Sequence, residues 1–187
     1  MRTGPANVVV MVAPPEAVTI LRAVLAHFPP DFPAAVVILM HAGDGHERPV
    51  ANNLNSSSSL MVMPAMDGTQ LRDGYATVVF PHQNLTLGPG GSFGPQHGTE
   101  TLLMSLAARY RERAVAVALT ALGTRETQDF RSVREVGGHT IALDEADFLW
   151  TSPAGPRVVP NEGDEVVLAN MIVKRVSEIL AIAPVTA

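Results

Sequence analysis

Residues Ala34 to His46 read AAVVILMHAGDGH, and this stretch decides the fold. The seven apolar residues from Ala34 to Met40 run without interruption, are rich in β-branched types, and stop at His41 before a Gly/Asp turn. Such a run at strand length predicts a strand buried on both faces, as in a parallel sheet covered by helices on either side. Ligands of open parallel sheets bind beyond the carboxyl ends of the strands, so His41 stands where such a fold places chemistry. The plainer reading is a hydrogen-bonded histidine that merely ends a strand.

Upstream, Asn7 to Ala13 (NVVVMVA) is a second apolar run, closed by Pro14-Pro15. From Pro15 the apolar residues Val18, Leu21, Leu25 and Phe28 recur at steps of three and four, which predicts a helix ending before Pro29-Pro30. Strand, helix and strand make a βαβ unit with parallel strands and a right-handed crossover. Downstream, residues 47–59 suit a short helix or an exposed loop, and their serine run suits a solvated loop better than a nucleophile. Met61 to Met63, Ala76 to Phe80, Leu85 to Leu87, Val115 to Leu119 and Thr140 to Leu143 are expected strands. Asp67-Gly68 and Asp73-Gly74 are turn signals, and GPGGSFG after Leu87 reads as a flexible glycine loop without the lysine of a P-loop. Helices are expected over Thr99 to Arg113, Glu126 to Val136 and Val167 to Ile182, with an apolar patch at Phe148 to Trp150. The expected fold is a single α/β domain spanning residues 1–187, a three-layer, mostly parallel, doubly wound sheet with helices on both faces.

Composition narrows the classes. Of 187 residues, 47% are hydrophobic and 17% charged with a net charge of -5, which excludes a wholly disordered chain and offers no basic footprint for nucleic acid. No apolar run reaches the roughly 18 residues that span a bilayer, and the N-terminal apolar stretch is too short for a signal peptide. The absence of cysteine excludes disulfides, thiolate nucleophiles and cysteine metal sites, and cytoplasm is the expected compartment.

The order of motifs resembles one family, the catalytic domain of the chemotaxis protein-glutamate methylesterase, CheB. Pro15-Glu16-Ala17 is similar to the family's PEAL segment, and Asp31 to His41 (DFPAAVVILMH) resembles DFPAAVVVVQH. Ala65-Met-Asp-Gly68, Leu71-Arg-Asp-Gly74 and Phe80-Pro81 resemble AxDGxxLxPGxVYxAP. Ala114 to Thr124 (AVAVALTALGT) is similar to AVGVVLTGMGS, and Gly137 to Ala146 (GGHTIALDEA) to GGxTIAQDEA. The resemblance covers nearly the whole chain and implies a Ser-His-Asp triad that hydrolyses a glutamate methyl ester, with no cofactor. It matches His41 to the family histidine, Met11 or a neighbour to the serine, and Arg125 to the aspartate. Pro14 stands in place of a glycine that opens the first helix, and Gly123 and Thr124 belong to the segment before the aspartate. Glu100 keeps the acidic character of the family's RPSxD, while Thr151-Ser152-Pro153 replaces its GMP. The receiver domain common in the family has no counterpart in the sequence.

A thioether cannot act as an acyl-transfer nucleophile, and a guanidinium cannot stabilise an imidazolium. Three functional readings follow. The first is a non-catalytic binding or regulatory module whose partner is a chemoreceptor-like helix or a second copy of the chain, with His41, Arg125, Thr124, Gly123, Pro14 and Glu100 around the old cleft. Arg125 beside His41 would there suit a carboxylate. The second is an active methylesterase or carboxylic ester hydrolase in which Ser92, Ser105 or one of Ser56 to Ser59 reaches His41, with Asp44 or Glu126 as its orienting carboxylate. The third is a metal site from His41, Asp44 and His46 with His82 or His97, but that spacing matches no metal motif, and no metal is expected.

Overall fold

A computed structural model describes residues 4–41, 45–119, 122–144, 147 and 164–181. Strand β1 (Val8–Ala13) leads through a single 3-10 turn into helix α1 (Val18–Ala26), and strand β2 (Ala35–Met40) follows. Helix α2 (Glu47–Asn55), β3 (Met61–Pro64) and β4 (Tyr75–Val79) complete the first half. The hairpin β5 (Leu85–Leu87) and β6 (Phe93–Pro95) then precedes α3 (Leu102–Tyr110), β7 (Ala114–Ala118), α4 (Thr124–Glu135) and β8 (His139–Leu143). The last elements are β9 (Glu165–Val167) and α5 (Ile172–Ile179).

The main sheet has the order β3-β4-β2-β1-β7-β8-β9, and every pairing in it is parallel. This is an α/β doubly wound architecture. Its layers follow from the two-residue period of a strand. Val9, Met11 and Ala13 of β1 face α1, α2 and α5, in a core with Leu21, Val24, Leu54, Ile172 and Val176. Val8, Val10 and Val12 face the other way, toward α3, α4 and the hairpin, with Leu103, Leu106, Phe93 and Phe130.

Because β1 pairs with β2 on one side and β7 on the other, the winding reverses at β1, and the crevice beyond its carboxyl end is the expected ligand site. Ala13 lies opposite Met40, the His41 N–H donates to the Ala13 carbonyl at 3.2 Å, and the Leu119 N–H donates to Val12 at 2.9 Å. The ends of all three central strands therefore meet at one edge. The turn Asp73-Gly74 needs its glycine: Gly74 has φ +74°, and an added Cβ would sit 2.8 Å from the Pro30 carbonyl oxygen.

Three expectations need correction. The glycine loop after Leu87 is a tight turn into a strand that the sequence reading missed, and Leu85, Thr86 and Leu87 pair antiparallel with Pro95, Gly94 and Phe93. The expected helix from Val167 begins only at Ile172. Glu165 to Val167 instead pair with Ile141 to Leu143 as an edge strand, and extended backbone at Leu168 (φ -64°, ψ 148°) separates strand from helix. The helix expected over Thr99 to Arg113 is shorter at both ends, capped by Thr101, whose hydroxyl accepts the Met104 N–H at 3.2 Å. The expected patch at Phe148 to Trp150, the segment Thr151-Ser152-Pro153 and Asp44 lie outside the described residues.

Candidate active-site cleft

The cleft is built from strand ends and two helix starts. His41 follows β2 and is exposed to solvent, and its Nε2 lies 3.8 Å from Glu126 Oε1. Glu126 occupies the first turn of α4, whose N-cap is Gly123. A carboxylate there gains from the unpaired N–H groups and the positive end of the helix dipole. Glu126 folds back so far that a Cβ on Gly123 would meet its Oε2 at 2.7 Å. Glycine at this cap thus leaves room for the carboxylate that faces His41.

Thr124 and Arg125 are exposed in the same turn, and Arg125 reaches a cavity of about 150 Å³. Its walls include Leu39, Val79, Phe80, Leu85 and Leu102, and its polar rim includes His41, Asn84, Gln96, Thr101, Arg125, Glu126 and Asp129. The cavity lies on the α3/α4 side of the sheet, because Val79, Leu85 and Leu102 belong to that core. Asp129 is only 7% exposed. Burial pushes its carboxyl above the ordinary range, opposed by the Thr101 hydroxyl and by the charge of Arg125, and Glu126 adds to the rise.

The other residues singled out from sequence fall in different places. Met11 is fully buried in the α1-side core, paired with Ile38 and Val117 in mid-strand. The residue of β1's exit that stands level with His41 is Pro14, which is partly buried and begins the 3-10 turn. Glu100 is exposed, ahead of α3. Ser105 is buried on α3, where its hydroxyl accepts the Leu87 N–H at 2.9 Å and donates to the Leu102 carbonyl at 2.7 Å. Ser92 sits in the hairpin turn, half-buried. Ser56 to Ser59 lie between α2 and the start of β3, at the sheet edge opposite His41, where Ser57 accepts a hydrogen bond from Arg22 Nε at 2.9 Å and Ser58 one from the Leu60 N–H at 3.0 Å.

Among the described residues no three His, Asp or Glu side chains converge as metal ligands. His82 Nε2 instead meets Glu47 Oε1 at 2.7 Å, and the Glu47 carboxyl is held below the ordinary range by its own backbone N–H and then by His82. His46 precedes α2 and His97 lies in the exposed loop after β6.

Glu126 entered the sequence reading only as one of two orienting carboxylates, and the structure brings it to His41. Asp129 was not singled out at all. Its signal was available: it falls beside Phe130 and four residues before Val133, so a carboxylate stands in the core-facing stripe of α4.

Comparison with known proteins agrees with this architecture. Residues 9–176 match the family model described as CheB methylesterase. The chain is 31% identical over 169 residues to protein-glutamate methylesterase/protein-glutamine glutaminase 2 of Anaeromyxobacter dehalogenans, covering 85% of this chain and 49% of that protein. It is 32% identical over 136 residues to a protein-glutamate methylesterase/protein-glutamine glutaminase of Rhizobium meliloti, covering 67% of this chain and 38% of that one. It thus spans about half the length, or less, of the curated relatives it matches. The fold matches the crystal structure of the Thermotoga maritima CheB methylesterase catalytic domain with a TM-score of 0.80 at 23% identity, over 95% of this chain and 100% of that one. Among the described residues no helix is long and apolar enough to cross a membrane. With the same sheet, the histidine at the end of β2 and a family match over most of its length, the chain belongs to the CheB methylesterase family.

Proposed function

We propose that this domain is a non-catalytic binding or regulatory module of chemotaxis-like signalling, acting in the cytoplasm on a protein partner such as a chemoreceptor-like helix. One observation carries the reading: the methionine matched to the family serine is fully buried in mid-strand, and the residue level with His41 at the exit of β1 is a proline. Neither offers a hydroxyl to attack an ester, and Pro14 also lacks the backbone N–H that could hold an oxyanion. Ser105 and Ser56 to Ser59 support the reading as well. Ser105 is occupied by Leu87 and Leu102, and Ser56 to Ser59 lie at the far edge. A protein partner is supported by the names of the relatives, which are described as acting on protein glutamate and glutamine side chains.

The test is methanol release from methylated receptor fragments, and turnover of a generic ester, by the purified protein beside its His41→Ala variant and an authentic methylesterase. No turnover by the folded wild type is the expected result. Turnover that disappears with His41→Ala would overturn the reading.

A further inference from the structure

The feature of the cleft that ester chemistry does not use is Asp129. It is a carboxylate more than nine-tenths buried, it lines the cavity, and it forms no ion pair among the described residues. The polar group that opposes its rise is the Thr101 hydroxyl, itself engaged as the cap of α3. A carboxylate is acceptor-only when ionised, and a largely buried charge without an ion-pair partner is costly. The charge next to it is unbalanced too. Glu126 adds a second carboxylate on the same helix face, three residues before Asp129, and Arg125 at the mouth is the cation that faces them.

The remaining walls are apolar. Leu39, Val79, Phe80, Leu85 and Leu102 bound a space of about 150 Å³, the size of cavity that takes a molecule of roughly six heavy atoms. A carboxylate guest would meet Asp129 and Glu126 with like charge. A guest with a short methylene stem and a cationic tip would place the stem on the leucines and the tip on Asp129.

We propose that this cavity is a binding site for a primary alkylammonium group of four or five heavy atoms, with Asp129 as its buried counter-charge and the apolar wall as a sheath for its stem. The group could be a free short amine or the side chain of a lysine on a partner protein, and both present the same chemistry. The proposal rests on reading this cleft as a binding site. It does not rest on the loss of ester hydrolysis, so the two fail separately: ester turnover would overturn the non-catalytic reading and leave cation binding as it is.

The experiment is calorimetric titration of the purified protein at pH 7.5 and constant ionic strength with n-butylammonium chloride, 1-butanol and Nα-acetyl-lysine amide. Butylammonium is expected to bind at least about tenfold more tightly than butanol, since the alcohol supplies the stem without the charge. Asp129→Asn, which keeps the shape and a group for Thr101, is expected to remove most of that preference. Arg125→Ala is expected to tighten binding several-fold by removing a competing cation. Acetyl-lysine amide binding better than butylammonium would point to a partner's side chain, and the reverse to a free amine; either supports the site. Equal binding of butylammonium and butanol by the wild type, or no binding of either, would overturn the proposal without recourse to a variant, and so would an unchanged preference in folded Asp129→Asn.

Discussion

Placing a serine at position 11 is expected to cost the domain dearly and to bring no chemistry. Met11 is 0% exposed in the core beneath α1, held between Ile38 of β2 and Val117 of β7. Met11→Ser removes a large buried apolar side chain, a change that costs about 2–5 kcal/mol in protein cores. It also places a hydroxyl among Val9, Leu21 and Ile38, for about 1–3 kcal/mol more unless a backbone carbonyl accepts it. A net loss of about 3–8 kcal/mol is expected, against the roughly 5–15 kcal/mol by which a domain is stable. Geometry denies the compensating gain. Ile38, the strand partner of Met11, precedes His41 by three residues, which at roughly 3.3 Å each puts the two levels about 10 Å apart. The position 11 side chain also faces α1, while the cavity beside His41 lies on the α3/α4 side. Urea unfolding should show a midpoint lowered by on the order of 2 M, and the ester assay should show nothing above the wild type. Pro14→Ser, on a partly buried residue level with His41, is the comparison and should change stability by no more than about 1 kcal/mol. His41-dependent turnover in Met11→Ser, or a stability loss below about 1 kcal/mol, would refute the reasoning.

Ser105→Ala should destabilise the domain by about 1–3 kcal/mol in urea unfolding, because the Leu87 N–H is left buried without its acceptor, and should leave ester turnover at its wild-type level. Gly123→Ala should push the Glu126 carboxylate away from His41, since the new methyl would stand 2.7 Å from Oε2; the His41 ring signals in the NMR spectrum should move, with a stability loss of about 0.5–1 kcal/mol from the poorer cap. Burial raises the Asp129 carboxyl in the folded state, so its contribution favours folding below the unfolded pKa and is lost as pH rises through the folded one. Asp129→Asn should therefore be more stable than the wild type at pH 8 and equal to it at pH 4, and thermal melts giving the same gain at both values would contradict the assignment.

The central strands were legible because burial on both faces leaves an uninterrupted apolar run. Val8 to Ala13 and Ala35 to Met40 announce themselves in this way. The hairpin strand Phe93–Pro95 and the edge strand Glu165–Val167 were not, because three residues are too few for a period to show. Glu165 is charged and Val166 is apolar yet exposed, so the segment shows neither a buried run nor an alternation of apolar and polar residues. At the cleft, His41 could be placed by its position after a strand. Its partner could not be chosen between Asp44 and Glu126, since that depends on the side chain folding back over Gly123. Asp129 stayed hidden for a different reason: within α4 it sits among many polar and charged residues, and only its spacing from Phe130 and Val133 marks it as part of the buried stripe.

The strand order has a consequence for how the protein is made. β1 lies at the centre of the sheet, and its two neighbours are synthesised far apart: Val8 pairs with Ala35 and also with Ala114, roughly a hundred residues after Val8. A ribosome delivers β1, β2 and β4 early, and this half-sheet can assemble on α1 and α2 while β1 still carries an unsatisfied edge of valines. Until β7 emerges, that edge is a template for any other extended chain in reach. An all-parallel sheet closed by such a distant pairing belongs among slow folders, and the nascent chain passes through its most aggregation-prone state just before the cleft beside His41 comes into being.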